Sequence, residues 1–385
     1  MRPIAVFLLL LSCISLHASA VILENAQLRK DPYPGQAEVV TVAGDNIWKT
    51  YPSDAPEISY KALKFGKYTD KGVLVAYRIS GFDWQFSNVT ADSTYQFVGA
   101  WTTELNLTKA DEKKTFELRV TNWAYGVQLA GVSVDSHAQL YEVPEFPKTV
   151  EIIGDSLSAG QYSTYEGLSS WAYDFAAGLG NAEYYITAYP GICLADKLCW
   201  GNSRGQAYQW YYTSDTSARA KKIYGAKPER WDFAAHRPAD LVVINIGTND
   251  NYPGNNVTGT EFFNSYIDLI DGIHRIWPRA QIIIMSLWGG FQAVGDTYTQ
   301  IPLFANEVKR VYEHYSRRNF VHYFDTTGIL QHNDIGPEGH PTDFGHVKVA
   351  SHLLRYVNIK FGWELAATGP EVQHDTLYWN TEADY

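Results

Sequence analysis

The sequence predicts an α/β protein with two folds in succession: an N-terminal antiparallel β-sandwich, jelly-roll-like, and then a doubly wound parallel sheet. The first prediction rests on short β-branched and aromatic runs, which Gly, Asn and Asp separate without any long helical period between them. The second rests on a change of pattern at Val150, where apolar strands begin to alternate with helical segments. Such alternation specifies a parallel sheet with helices on both faces.

Residues 1–20 have the pattern of a secretory signal peptide. Arg2 gives a positively charged start, residues 4–11 form an apolar run, and residues 18–20 offer a small-residue cleavage site. The run is too short for an ordinary membrane span, and an uncleaved membrane anchor is the alternative interpretation. No later segment is long and apolar enough to cross a bilayer. We therefore expect a secreted, extracellular protein without a membrane partner.

Residues 21–147 are expected to form the β-sandwich domain. Its runs of strand composition cover residues 73–79, 94–101, 114–120 and 127–134. The stretch 143–149 contains two prolines, which suit an extended linker. Residues 148–365 then form the α/β domain, and residues 366–385 are a C-terminal tail without clear periodicity.

The α/β domain opens with a strand that ends in a Gly-Asp-Ser turn at residues 154–156. The later apolar runs predict strands at residues 182–188, 241–246, 281–287 and 321–325. Helical patterns lie between and after them, at residues 168–179, 261–277, 302–317 and 344–361. The polar and aromatic stretch 203–224 is expected to be an insertion near a cleft rather than core. Ligand sites of such sheets lie beyond the carboxyl ends of the strands.

Composition narrows the class of partner. The 385 residues are 45% hydrophobic and 19% charged, which is typical of a globular protein, and the net charge of −11 argues against nucleic acid or an anionic membrane surface. Aromatic residues make up 15% of the chain, with 27 Tyr and 12 Trp. They fit a well-packed β-rich protein, and the alternative is that some rings stack against sugars.

The cysteines and the glycosylation acceptors agree with secretion. Cys13 leaves with the signal peptide, and Cys193 and Cys199 are expected to form a disulfide in an oxidising compartment. No Cys/His cluster has zinc spacing. Acceptor triplets for N-glycosylation begin at Asn88, Asn106 and Asn256.

Ser156 is the candidate nucleophile. It stands where a strand turns sharply into a helix, a geometry that exposes a side chain and leaves main-chain N–H groups free to stabilise negative charge. A Gly-Asp-Ser sequence by itself is weak support, since tight turns use these residues constantly.

Three further residues follow predicted strands or precede the last helix. Asn249 could donate its side-chain amide to an oxyanion, although an ordinary polar turn is the alternative. Gly191 could offer a main-chain N–H, and a simple Pro-Gly turn is the alternative there. His340 lies in the loop before the last helix, from which it could reach Ser156 and serve as a base.

The order of these four residues resembles the SGNH (GDSL) hydrolase superfamily over about residues 150–361. The resemblance implies that Ser156 is the nucleophile and His340 the general base. It also implies an oxyanion hole made of the Ser156 and Gly191 N–H groups and the Asn249 side chain. It implies no metal and no cofactor.

One position departs from that pattern. Most of the superfamily has Asp three residues before the catalytic His, where this chain has Pro337. The imidazole still needs a partner that fixes its tautomer, and Glu338, Asp334 or a backbone carbonyl could supply it. A Ser-His dyad with a carbonyl partner resembles the family 2 carbohydrate esterases (acetyl xylan esterase type). Those enzymes deacetylate plant polysaccharides and carry a small β-sandwich before the hydrolase domain, as the segments 131–135 and 151–156 also suggest.

Two other residues are site candidates. His346 falls just inside the last helical pattern, so a structural histidine is the better interpretation than a second base. Trp288 follows a buried strand beside two glycines, where it could stack on a sugar ring or pack in the core.

The sequence therefore predicts a secreted serine esterase that deacetylates plant cell-wall polysaccharide, acetyl xylan or glucomannan, through a Ser-His dyad and an acyl-enzyme. The expected partner is an acetylated polysaccharide or another small ester. One alternative is a secreted GDSL lipase or phospholipase-type acylhydrolase. Another is a carbohydrate-binding protein with weakened catalysis, which Pro337 would favour.

Overall fold

A computed structural model of the chain describes residues 38–39, 48–56, 58, 71–79, 84–97, 115–135, 138–213, 221–222, 225 and 228–366. The signal-peptide segment, the acceptor Asn106 and residues 367–385 of the tail lie outside the described residues. The helices in the described ranges are all too short or too polar to cross a membrane.

A five-stranded parallel sheet forms the centre of the part of the chain that follows residue 147. Its strands are β8 (Lys148–Gly154), β9 (Ala182–Ala188), β10 (Leu241–Asn245), β11 (Gln281–Met285) and β14 (Val321–Phe324). They lie side by side in the order β14-β11-β10-β8-β9. The chain moves to one side of β8 to form β9 and then crosses to the other side to form β10. This reversal is the switch point where parallel α/β sheets open a crevice for ligands.

Helices cover both faces of this sheet, as the sequence predicts. They are α1 (Ser156–Ala159), α2 (Trp171–Gly178), α3 (Gln206–Gln209), α4 (Gly259–Ile276), α5 (Ala305–His314) and α6 (Asp343–Phe361). Successive strand residues point to opposite faces. Ile153 and Ile244 therefore pack with α4 and α5, whereas Ile152 and Val243 pack with α2 and α6.

Antiparallel sheets precede the parallel one, which confirms the predicted change of fold. Their strands are β1 (Glu38–Val39), β2 (Trp48–Pro52), β3 (Val73–Ile79), β4 (Gln85–Val89), β5 (Tyr95–Gln96), β6 (Phe116–Val120) and β7 (Gly131–Asp135). β3 pairs with β4 and β6, β2 pairs with β7, and β1 pairs with β5.

β3 is buried on both faces and joins the two parts of the molecule. Val73 and Val75 pack inside the N-terminal part, while Leu74 and Ala76 pack in a cluster that includes Leu168. The N–H of Gly167 also donates to the carbonyl of Thr121 across 2.7 Å. The segment between α1 and α2 is thus attached to the N-terminal sheets by both apolar contacts and a main-chain hydrogen bond.

The structure corrects two details of the predicted layout. Trp210 is fully buried in the core and donates its indole N–H to Glu151 at 3.0 Å, so this end of the 203–224 stretch is core rather than a cleft insertion. A hairpin that the sequence did not indicate, β12 (Phe291–Val294) and β13 (Thr297–Gln300), follows β11. Most residues of this hairpin are exposed on both faces, so its sequence lacks the alternation of buried and exposed residues that marks a strand.

α2 begins at Trp171 rather than at residue 168, and His346 of α6 helps to fix that start. The side chain of Ser170 caps the helix, and the N–H of Trp171 donates to Nδ1 of His346 at 3.0 Å. Burial lowers the pKa of His346 to about 4, since an imidazolium would lose both water and this acceptor role. His346 is therefore a structural, neutral histidine.

The pKa of His346 predicts a loss of stability in acid. The ring of His346 is protonated near pH 6.5 in the unfolded chain but only near pH 4 in the folded chain. Its contribution to the free energy of unfolding is therefore fully present above pH 6.5 and is lost as the pH falls toward 4. His346→Asn keeps an acceptor near the Nδ1 position. We expect this variant to have a lower free energy of unfolding than the unchanged protein at pH 7. The difference between the two proteins should be smaller by roughly 2 kcal/mol at pH 5. Urea unfolding of both proteins at the two pH values measures this, and an unchanged deficit would contradict the assignment.

Candidate active site

Three strand ends lie level at one edge of the parallel sheet. Gly154 of β8 pairs in register with Ala188 of β9 on one side and with Asn245 of β10 on the other. The segments that carry Ser156, Gly191 and Asn249 follow these three ends directly. The sheet thus delivers three of the predicted site residues to its switch point.

Ser156 is the first residue of the short helix α1. Asp155 caps this turn, because its side chain accepts the N–H of Leu157 at 3.0 Å. The turn closes tightly over Gly154, where an added Cβ would lie 2.1 Å from Oγ of Ser158. Only glycine permits this approach. The turn therefore projects Ser156 at the end of β8, as a strand-to-helix nucleophile turn requires.

His340 lies against Ser156. Its Nε2 is 2.8 Å from Oγ of Ser156, and its Nδ1 is 3.0 Å from the main-chain oxygen of Glu338. Glu338 and Gly339 both have left-handed backbone conformations, with φ of 53° and 74°. These two residues bend the loop so that a carbonyl two residues upstream reaches the ring.

The side chains of Asp334 and Glu338 take other positions than the predicted one beside the ring. Asp334 is buried, accepts the N–H of Gln331 at 2.8 Å, and pairs with Lys348 at 2.7 Å. The side chain of Glu338 is exposed, and the hydrogen bond at Nδ1 of His340 goes to its backbone oxygen. Of the three alternatives that the sequence left open, the backbone carbonyl makes this contact.

Hydrogen bonds tie the loop of Gly191 to the loop of Asn249. Nδ2 of Asn249 donates to the carbonyl of Ile192 at 2.9 Å, which fixes the amide orientation and leaves its second N–H for another acceptor. The carboxylate of Asp250 accepts the N–H groups of Leu194 and Ala195 at 2.7 and 2.9 Å. The two loops therefore hold each other in place.

The backbone conformation and the close packing at position 191 both require a glycine. Its φ of 74° is left-handed, and an added Cβ would lie 2.7 Å from Cβ of Trp200. Cys193 and Cys199 close the same loop with a disulfide. Asn202 donates to the carbonyl of Pro190 at 2.9 Å. These contacts keep the main chain of Gly191 close to the end of β9.

Two buried carboxyls lie behind the serine. Burial raises the pKa of Asp155 to about 7 and that of Asp250 to about 6, against the opposing effect of the N–H groups that each accepts. The negative charge of Asp250 adds to the rise at Asp155. Because the unfolded carboxyls ionise near pH 3.8, these two groups reduce folding stability as the pH rises from about 4 to 7.

Trp288 is not a sugar-stacking residue. It is only 1% exposed and packs edge-on against Trp171 at 6.4 Å between ring centres. The alternative of core packing therefore holds, because the strand that precedes it is buried on both faces.

The predicted glycosylation acceptors within the described ranges are accessible. Asn88 lies on β4 and Asn256 in the loop before α4, and both side chains are exposed.

Aromatic residues that the sequence did not indicate lie beside the site. Tyr162 stands edge-on to the ring of His340 at 5.0 Å, and Trp123 lies 6.4 Å from Tyr162. On the side of Gly191, Trp200 and Tyr252 are exposed and 4.9 Å apart. Only the high aromatic content hinted at them, since these contacts join distant parts of the sequence.

Several solved structures share this fold. A family two carbohydrate esterase from Cellvibrio japonicus is 14% identical, with 82% of this chain and 98% of that chain covered and a TM-score of 0.62. An acetyl xylan esterase from Butyrivibrio proteoclasticus is 18% identical, with 82% and 99% covered and a TM-score of 0.58. A family two carbohydrate esterase from Clostridium thermocellum, in complex with cellohexaose, is 19% identical, with 78% and 91% covered and a TM-score of 0.55.

Sequence comparison assigns the family. No curated protein sequence matches the chain. The sequence model of the GDSL-like lipase/acylhydrolase family matches residues 152–348, just over half of the chain, and this range includes the turn of Ser156 and the loop of His340. The chain is therefore a member of the GDSL-like lipase/acylhydrolase family, a carboxylic ester hydrolase with the fold of the family 2 carbohydrate esterases.

Proposed function

We propose that this protein is a secreted serine esterase that removes acetyl groups from a plant cell-wall polysaccharide, acetyl xylan or glucomannan, without metal or cofactor. The observation that carries the proposal is the 2.8 Å contact between Nε2 of His340 and Oγ of Ser156. It joins a nucleophile and a base within hydrogen-bond reach, which is the minimum that acyl transfer through serine requires.

The proton moves along this contact in the proposed reaction. His340 donates its Nδ1–H to the carbonyl of Glu338, so that Nε2 carries the lone pair that accepts the Ser156 proton. The serine oxygen attacks the acetyl carbon and forms a tetrahedral oxyanion. Nε2–H then protonates the departing sugar oxygen, which leaves an acetyl-enzyme. A water molecule then gives a proton to Nε2 and attacks the acyl carbon, and Nε2–H returns this proton to Oγ of Ser156 as acetate leaves.

The oxyanion forms at the level of the three strand ends. The N–H groups of Ser156 and Gly191 and the free N–H of Asn249 are the proposed donors, because their loops converge there. Asp250 holds the segment after Gly191, so the donors are arranged before the substrate binds. Pre-arranged donors stabilise a developing negative charge without reorganisation during the reaction.

Different observations support a carbohydrate substrate and secretion. The family two carbohydrate esterases that share the fold act on or bind carbohydrate according to their names, which favours a sugar ester over a lipid ester. The pattern of residues 1–20, the Cys193–Cys199 disulfide and the exposed acceptors Asn88 and Asn256 favour an oxidising, extracellular compartment. We also propose a division into a β-sandwich domain over residues 21–147 and a hydrolase domain over residues 148–365, which the change from antiparallel sheets to a parallel sheet at β8 supports.

Ser156→Ala tests the nucleophile. We expect kcat for an acetate ester to fall by at least about a thousandfold, because the oxyanion donors alone cannot form an acyl-enzyme. Ser158→Ala is the matched control, since Ser158 lies one residue beyond Leu157 on the same buried turn and should retain activity. Initial rates of acetate release from acetylated xylan and glucomannan, with decanoate esters for comparison, provide the measurement. An active Ser156→Ala protein would end the proposal, and a preference for decanoate would favour a lipase.

Glu338→Gln tests the carbonyl partner of His340. The substitution leaves the backbone oxygen in place, so we expect kcat to change by no more than about twofold. Asp334→Asn should also keep kcat but lower the free energy of unfolding by about 1 kcal/mol, because it removes the charge that pairs with the partly exposed Lys348. Steady-state rates and urea unfolding give both quantities. A loss of kcat near ten-thousand-fold in Glu338→Gln would instead show that the side chain acts as the carboxylate of a triad.

A further inference from the structure

We propose that Trp123 and Tyr162 form a sugar-binding subsite for the pyranose ring that carries the scissile ester. The subsite is shared between the N-terminal part, which supplies Trp123 from the loop after β6, and the hydrolase part, which supplies Tyr162. The inference rests on the proposed function, since it concerns the leaving alcohol of the same reaction.

Tyr162 is held beside His340 in a strained conformation. Its ring is perpendicular to the imidazole at 5.0 Å between centres, and its side chain is 49% exposed. Its φ of 70° is left-handed, which a bulky residue rarely adopts. Glu166, four residues later, also has a left-handed φ of 51°. Strain of this kind persists only where the surroundings fix it, and it concentrates at ligand sites.

The loop that carries Tyr162 is fixed on two sides. On one side the Gly167 N–H donates to the Thr121 carbonyl at 2.7 Å, and Nδ2 of Asn122 donates to Glu166 at 3.4 Å. On the other side the Thr164 N–H donates to Asp343 of α6 at 2.9 Å. The loop therefore cannot move away from His340 without breaking contacts to both the N-terminal sheets and the last helix.

The same attachment places Trp123. It follows Asn122, whose side chain accepts the N–H groups of Ala124 and Tyr125 at 3.0 and 2.8 Å and so closes a turn. The indole lies 6.4 Å from the ring of Tyr162 at an angle of 46° and is partly exposed. A residue of the N-terminal part thus reaches the margin of the site by way of one intervening ring.

The chemistry of ester cleavage decides which part of the substrate meets these rings. The carbonyl oxygen must face the donors near Gly191 and Asn249, whereas the departing oxygen must lie within reach of Nε2 of His340. The sugar attached to that oxygen therefore lies on the His340 side, where Tyr162 and Trp123 stand. Two partly exposed rings offer apolar faces on which the C–H face of a pyranose can pack.

Binding to an inactive protein tests the subsite without catalysis. In the Ser156→Ala background, titration calorimetry with xylohexaose and mannohexaose measures Kd for the unacetylated chains. We expect binding of at least one, and about tenfold weaker binding when Trp123→Ala or Tyr162→Ala is added. Tyr162→Phe, in contrast to Tyr162→Ala, should keep the Kd of the Ser156→Ala protein, because the ring and not the hydroxyl makes the contact. Tyr141→Ala is the matched control, a 52% exposed tyrosine two residues before the linker stretch 143–149, and should leave Kd unchanged.

Kinetics with the active protein separates the two proposals. We expect Trp123→Ala to lower the ratio of kcat/KM for acetylated xylohexaose to kcat/KM for ethyl acetate by about tenfold, since ethanol has no ring to stack. An unchanged ratio and an unchanged Kd would overturn the subsite and leave the esterase proposal intact. Hydrolysis of ethyl acetate without any release from acetylated polysaccharide would overturn the proposed function. Failure of the Ser156→Ala protein to bind either hexasaccharide would overturn the proposed subsite, whatever the esterase activity of the unchanged protein.

Discussion

The register of three parallel strands is the constraint on which the rest of this molecule depends. Gly154 lies level with Ala188 and Asn245, so the chain leaves the sheet at one height in three places. A shift of one residue along β8 would move the Ser156 turn along the sheet and turn Ile152 and Ile153 to the wrong faces. The packing of two different apolar clusters against these residues fixes the register, and with it the site. Core packing and chemistry are thus set by the same few strand residues.

The loops above that edge are held by polar contacts rather than by regular structure. Asp155 caps the serine turn, Asp250 accepts two N–H groups from the loop of Gly191, and a carbonyl of the loop before α6 meets His340. Burying two carboxyls here costs folding stability at neutral pH, as their raised pKa values indicate. The fold tolerates this cost at the site because the carboxyls order main-chain donors. A carbonyl in place of a carboxylate also leaves the imidazole with a weaker electrostatic partner than a triad provides.

Much of this arrangement can be predicted from the sequence, and the parts that cannot all depend on contacts or backbone conformations that local composition does not encode. Local composition indicates the strand-to-helix turn at Ser156 and the apolar strand before Asn249. The partner of His340 depends on a left-handed Glu338, a backbone conformation that the residue type does not indicate. Trp288 could face a cleft or the core, because a strand buried on both faces carries no alternation to decide it. The contact of Trp123 with Tyr162 joins two separate segments of the sequence, so no local pattern indicates it.

Covalent labelling is the direct test of whether Ser156 is a nucleophile that His340 activates. A fluorophosphonate transfers its phosphorus to an activated serine oxygen as fluoride leaves, and the product is stable enough for peptide mass spectrometry. We expect one label per chain, located on the peptide that contains Ser156, and a labelling rate that falls sharply in His340→Ala. Labelling at another residue, or none in a preparation that hydrolyses an acetate ester, would contradict it.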